Sequence, residues 1–302
     1  MSNNISNLLQ IFIIAAYNFR AWRRNPRIII TFALAFILCF LLTDKAVRFA
    51  ASQETYMQIL EAFIWSFGDS NSILLASLLL VLLFADMPFL GAGTPFYLMR
   101  TKRWIWLCGQ TLYIMAATCI YMLFILASSA LLCERSSFIG NMWSETAAIL
   151  GYSGAGKAIA LPALVKTLEM SRPYNVMIVI FLLMTLYTLL MAFIMLAFNL
   201  YKGSIWGSCS VFVFGLYGFL LNPETFNAFM HLPEEQMYKA NLLAAWLSPL
   251  QQATYHMHNF GYDLLPRLWM TYLIFAGLIL LCFALSLRGI RKYNFSFSGA
   301  EA

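Results

Sequence analysis

The chain has 302 residues, 62% hydrophobic and 11% charged, with a mean hydropathy of +0.75. Soluble chains are nearer half apolar and a quarter charged, and 19 Lys and Arg with 13 Asp and Glu cannot coat a soluble surface of this size. A soluble enzyme, a disordered chain and a nucleic-acid-binding domain are excluded; the net charge of +6 reads as basic loops on one side of a bilayer.

The first element runs from Ile5 to Trp22, apolar but too short and too interrupted to span. Leu8, Leu9, Phe12, Ala16 and Phe19 have helical spacing, while Asn7, Gln10 and Asn18 break the run. Arg20, Arg23 and Arg24 follow, with Pro26 as a break. The pattern predicts a helix over 5–25 lying in the membrane interface. A signal peptide would carry its basic residues before the apolar run.

A bilayer crossing takes about 20 mostly apolar residues. Six windows qualify, near 27–44, 72–94, 104–132, 174–200, 203–222 and 267–287. No strand-like alternation with regular turns appears, so the expected fold is an all-α membrane protein of six transmembrane helices in a single domain, 1–302. The second window holds one ionisable residue, Asp86, with Pro88, Gly91, Gly93 and Pro95 behind it to loosen the helix. An intramembrane acid is a functional candidate; its bland role is to pair with Arg100, Lys102, Arg103 or the N-terminal basic cluster. Long outer segments are expected at 45–71, 133–173 and 223–266, the last containing Ser248-Pro249, a helix-start signal.

Basic residues set the orientation. Eleven of them, from Arg20 to Lys292, fall on the segments before span one, between spans two and three, between spans four and five, and after span six, with Glu301 as the one acid there. The alternate segments hold eleven acids from Asp44 to Asp263. Both termini are therefore expected in the cytoplasm.

Three motifs resemble chemistry. Gly151-Tyr-Ser-Gly-Ala-Gly156-Lys157-Ala158 nearly spells a phosphate-binding loop, but Ala158 stands where the Mg²⁺ hydroxyl belongs and no apolar strand precedes it. A Gly/Ser turn between outer helical pieces is the expected reading. Glu234-Glu235-Gln-Met-Tyr-Lys239 is similar to the paired-acid motif of intramembrane CAAX-type proteases, in which carboxylates activate a water. Here Lys replaces Arg, and Phe260 and Tyr262 stand where Asn or Asp would follow His256 and His258, so a Glu-rich helix start accounts for the acids equally well. His256-Met-His258 lacks a third ligand and reads as loop histidines. None of Cys39, Cys108, Cys119, Cys133, Cys209 and Cys282 forms a CxxC pair, and they read as small hydrophobes. Ion-coupled carriers need relays of buried acids or His and paired broken helices, neither of which is visible, so any transport must draw its energy from elsewhere.

With these elements in place, the chain resembles the membrane (permease) subunit of ABC-2 type ABC transporters. The likeness rests on Phe84-Ala-Asp86, on Gly93-Thr94-Pro-Phe-Tyr-Leu-Met-Arg100-Thr-Lys-Arg103-Trp, on Arg24-Asn-Pro26, on Leu247-Ser-Pro-Leu250 and on the basic tail Arg288–Lys292. Asp86 departs from the commoner Glu of that family. The resemblance implies a second permease subunit, identical or not, and separate cytoplasmic ATPase subunits that carry the ATP and Mg²⁺; no cofactor belongs to this chain. It also implies that Thr94–Lys102 forms a coupling helix, with Phe96, Tyr97, Leu98 and Met99 as apolar anchors and Arg100 and Lys102 as polar ones. The bland role of Phe96–Met99 is bilayer anchoring. Few charges and hydroxyls such as Thr111, Tyr113, Thr118, Tyr121, Tyr187 and Ser210 in the spans suit an amphipathic or apolar cargo. The other readings are a CAAX-type protease and a non-transporting membrane scaffold or immunity protein.

Overall fold

The computed structural model describes residues 2–85, 87–88, 101–159, 161, 163–231, 233, 236–261 and 263–293. Helix α1 (Ser2–Ala21) leads through a 3₁₀ turn (Trp22–Arg24) into α2 (Pro26–Ser52). Asn25 starts α2 by accepting from the Arg27 N–H, with Pro26 as first helical residue. The helix runs well past residue 44, with Ala46 and Ala50 buried against the protein and Asp44 and Arg48 paired at i, i+4, 2.8 Å apart, on the exposed side. Helices α3 (Glu61–Phe67) and α4 (Ser70–Phe84) are bent by 89° at their junction. The Asp69 side chain there accepts from Asn71 and starts α4. The span expected over 72–94 is thus helical from Ser70 to Phe84.

Helix α5 (Arg103–Cys133) has 31 residues, about 46 Å at 1.5 Å per residue. Short helices α6 (Glu145–Tyr152), α7 (Ala155–Ala158) and α8 (Val165–Met170) follow, then α9 (Pro173–Lys202). Gly203, at φ +96°, turns the chain straight into α10 (Ser204–Leu220). Helix α11 (Pro223–Met230) bends 61° away from α10. Helices α12 (Met237–Leu247) and α13 (Pro249–Gln252) precede α14 (Leu268–Lys292). Two-residue strands β1 (Met57–Gln58) and β2 (Ser137–Phe138) pair in parallel, Met57 opposite Ser137.

Helices α2, α5, α9 and α14 are each long and apolar enough to cross a membrane, and the bent pairs α3–α4 and α10–α11 raise the number to as many as six. The chain is an all-α membrane protein. Helix α9 is the most buried of the long helices, with Leu183, Met184, Tyr187, Leu190, Met191, Met195 and Leu196 packed inward against α4, α5, α10 and α14 and Ile178, Leu182 and Phe198 left on its exposed side. Most of α2 and α14 faces outward.

Helix α1 lies against the first half of α5. Ile14 rests on Gly109, where a Cβ would come within 2.6 Å of it. Asn18 donates to Gln110 Oε1 at 2.9 Å, both residues buried, and Trp22 donates to the Tyr113 hydroxyl. The stripe seen in the sequence is thus divided. Leu8, Leu9, Phe12 and Ala16 point away from the protein, while Ile14, Ala15 and Asn18 form the docked face. Asn18, which seemed to interrupt an apolar run, is part of the joint.

Candidate functional site

The helix ends gather at two poles, one basic and one formed by the long connections. At the basic pole the chain leaves α4 after Phe84 and enters α5 at Arg103. The Asn199 amide, on the last turns of α9, donates to the Met87 carbonyl at 2.6 Å. Its Oδ1 lies so close to α10 that a Cβ on Gly207 would fall on it, so glycine is what lets α9, α10 and the exit of α4 meet. Arg103 Nη1 donates to the carbonyls of Ile290 at 3.2 Å and Arg291 at 2.9 Å. A guanidinium therefore caps the end of α14, whose terminal carbonyls have no helical partner. The Tyr201 hydroxyl donates to Leu285 O, and its ring covers Gly289.

Of the residues picked out at this pole, Asp86, Phe96, Tyr97, Leu98, Met99 and Arg100 lie outside the described residues. Lys102 is exposed, and its carbonyl accepts from Ile105 and Trp106 to open α5.

The opposite pole is a cap woven from the three long connections. Glu61 is fully buried on α3 and accepts from the Ser144 N–H at 2.7 Å and from the Ser144 hydroxyl. Burial without a cation pushes its carboxyl up to about 7. Trp65 stacks on Trp143 with centroids 5.3 Å apart, Trp143 donates to Ser171 O, and the Ser171 and Tyr255 hydroxyls are bonded. Lys166 is salt-bridged to Asp263, donates to His258 O and lies over the Phe260 ring. A cleft of about 1230 Å³ opens in this cap, bordered by Asp69, Glu224, Asn227, Tyr238, Asn241 and His256.

His258 is a loop histidine, but a buried one. It is fully buried beside a 3₁₀ turn, with Nδ1 against the carbonyls of Thr254 and Tyr255 and Nε2 at 3.0 Å from the Thr271 hydroxyl. This arrangement makes Nδ1 the donor and Nε2 the acceptor of a neutral ring, and burial holds its pKa down near 4. Among the described residues no group of three His, Cys, Asp or Glu is placed to hold a metal. Glu234 and Glu235 lie outside the described residues, and Lys239 donates to Gln236 Oε1.

The Gly151–Ala158 segment holds the end of α6, a two-residue turn at Ser153-Gly154 and the whole of α7. Cβ atoms on Gly151 and Gly156 would meet the Leu168 side chain and the Leu161 carbonyl at 2.5 Å. These glycines admit protein rather than a phosphate. The hydroxyls expected to line a path are mostly embedded in the core. Thr118, Tyr113, Tyr121 and Tyr187 are buried, Tyr121 donates to Ala76 O, and Thr111 and Ser210 donate within their own helices. Sequence reasoning missed Glu61, His258 and Asn199 as structural centres. For Glu61 a signal existed, since it sits inside the apolar run Ile59-Leu-Glu-Ala-Phe-Ile-Trp65.

Comparison with family models, with curated proteins and with solved structures gives no match to this chain.

Proposed function

We propose that the chain is the permease subunit of an ABC-2 type ABC transporter, an ATP-driven exporter of an amphipathic or apolar cargo such as a peptide, antibiotic, lipid or drug. The observation that carries the proposal is the basic pole. An N-terminal helix is docked on the foot of α5, beside the points where the chain leaves α4 and enters α5. The connection between those points carries Phe96–Met99 and Arg100, an aromatic and basic set of the kind that dominates interfaces. In this reading the basic pole and both termini face the cytoplasm of the cell, and separate ATPase subunits bring ATP and Mg²⁺ beneath it. The 86–102 connection is the lever, and a second permease subunit completes the passage.

The mechanical parts on this chain follow. Force applied between α4 and α5 reaches α9 through Asn199 and Met87, and reaches α14 through Arg103. Helix α9 is the most buried of the long helices and touches α4, α5, α10 and α14, so the bundle transmits a tilt rather than absorbing it. The cap, locked by Glu61, Trp143 and His258, closes the far pole and gives the cleft its walls.

The test is reconstitution in liposomes with the cognate cytoplasmic ATPase. The chain is expected to raise ATP hydrolysis, and Phe96→Ala or Arg100→Ala to abolish the increase while the protein still inserts. Unchanged stimulation in both variants, or hydrolysis by the chain alone, rejects the proposal.

A further inference from the structure

The cleft in the cap, of about 1230 Å³, is walled by all three long connections and by the first turns of α4 and α11. One wall is fixed by α13. The Ser248 hydroxyl donates to the Gly218 carbonyl at 3.0 Å and accepts from the Gln251 N–H at 3.3 Å. A Cβ on Gly218 would lie 2.8 Å from Leu250, so α10 closes tightly on this short helix. Leu250 belongs to the main core, whereas Met257 and Leu265 belong to a small core shared with Phe226 of α11. The cleft is therefore lined from two separate cores, at the 61° bend between α10 and α11.

Its polar groups lack donors and cations. The Gln251 side chain is 4% exposed, lines the cleft and has no hydrogen-bond partner among the described residues. Asn227 Oδ1 is a buried acceptor with no donor. Asp69 accepts from the Asn71 N–H, and neither Asp69 nor Glu224 forms an ion pair among the described residues. Lys166 is the one Lys or Arg among the described residues of the lining, and it is spent on Asp263 and the His258 carbonyl. His256 adds no charge, since burial, His258 and Lys166 hold its pKa near 4. Two uncompensated carboxylates thus stand beside two unsatisfied amides and the apolar Phe219, Met257 and Leu265. Buried polar groups ordinarily find partners, and the space exceeds the roughly 300–1,000 Å³ of small-molecule sites.

We propose that this cleft binds an amphipathic organic ammonium, a small molecule with an apolar body and a cationic end that bears N–H donors. Asp69 and Glu224 attract the cationic end, the Asn227 and Gln251 amides orient it, and Phe219, Met257 and Leu265 cover the body. An anion is repelled by the same carboxylates, and a purely apolar molecule leaves the amides unpaired, which costs affinity. The site rests on the geometry of the cap and holds whether or not an ATPase docks at the other pole.

The probe is dansylcadaverine, a primary ammonium on an apolar fluorophore, with its uncharged N-acetyl derivative as comparison. Fluorescence anisotropy on the full chain in nonionic detergent is expected to show saturable binding of dansylcadaverine and about ten-fold weaker binding of the acetylated probe, the combined loss of two carboxylate contacts. Glu224→Gln, at an exposed position, is expected to weaken dansylcadaverine binding by about five-fold at an unchanged melting temperature. Ala228→Trp, at an exposed position of the lining, fills the cleft and is expected to abolish saturable binding. Should Ala228→Trp fail to fold, the two probes on the parent chain and Glu224→Gln decide. Absence of saturable binding, equal binding of the two probes, or undiminished affinity in Glu224→Gln or in folded Ala228→Trp overturns the proposal. No ATPase enters the measurement, so its failure and the failure of the reconstitution test are separate results.

Discussion

The carboxylate of Glu61 accepts both the backbone N–H and the hydroxyl of Ser144, and the same Ser144 oxygen accepts from Ala147 to start α6. One buried acid therefore ties the first long connection to the second. Glu61→Ala leaves two buried donors without an acceptor. It is expected to lower stability by about 2–3 kcal/mol and to speed limited proteolysis within residues 137–171. Glu61→Gln, which keeps one acceptor oxygen, is expected to cost less than half as much.

Glu61 and His258 contribute to the acid response in opposite senses. The Glu61 carboxyl, at about 7 when folded, lies above its ordinary value. Between roughly pH 4.5 and 7 the folded state keeps a proton that the unfolded state releases, so this group makes stability fall as pH rises. His258, held near 4, acts in the opposite sense. Between roughly pH 6.5 and 4 the unfolded state takes up a proton that the folded state refuses, so stability falls as pH drops. The slopes oppose each other where the windows overlap. Melting temperatures from pH 4.5 to 7.5 are expected to show a steeper acid loss in Glu61→Gln than in the parent, and a shallower one in His258→Gln.

Gly207 and Asn199 form a coupled pair. Gly207→Ala drives a methyl group into the Asn199 amide and is expected to cost about 1–3 kcal/mol, as overpacking does. Adding Asn199→Ala is expected to recover part of the loss, a coupling of about 0.5–3 kcal/mol for residues in contact. Thermal unfolding of the two single variants and the double variant gives the number directly.

Docking of α1 is open to a simple test. Asn18→Leu removes the buried donor that Gln110 Oε1 accepts from, at an expected cost of about 1–2 kcal/mol. Because α1 is held on α5 by few polar links, trypsin cleavage at Arg20 and Arg23 is expected to accelerate in this variant.

The orientation is tested by labelling intact cells with a membrane-impermeant thiol reagent. Thr101→Cys at the basic pole is expected to stay unlabelled, and Ile139→Cys in the cap, where the side chain is 82% exposed, to react. The reverse pattern inverts the protein in the bilayer.

Hydropathy made the bundle legible, because crossing lipid demands long apolar runs whatever their partners. Span one shows the limit of that signal. Asp44, Lys45 and Arg48 look like the start of a loop, yet hydropathy reports where lipid ends, not where a helix ends, and α2 runs on to Ser52 with Ala46 and Ala50 buried. The 89° corner at Gly68-Asp69 falls beside the boundary expected between the outer segment 45–71 and the span from 72; the helix α3 before it carries too short an apolar run to be read from hydropathy. Glu61, Asn18 and His258 look like solvent-facing or interrupting residues in a linear reading. Each is instead satisfied by a partner distant in sequence or in the next element, and no local pattern encodes such pairings. The candidate coupling segment was legible only as composition, since its role depends on a partner surface.

The bridge between Met57 and Ser137 joins residues on either side of α4 and α5, and the Ser171–Tyr255 bond reaches further still. The cap therefore cannot mature in the order of synthesis. A nascent chain halted after α5 presents Glu61 and Trp65 with neither Ser171 nor Tyr255 yet delivered, and the far face closes only when the last third of the polypeptide has been inserted. Biogenesis, rather than the equilibrium of the finished bundle, is where errors in this face first become visible.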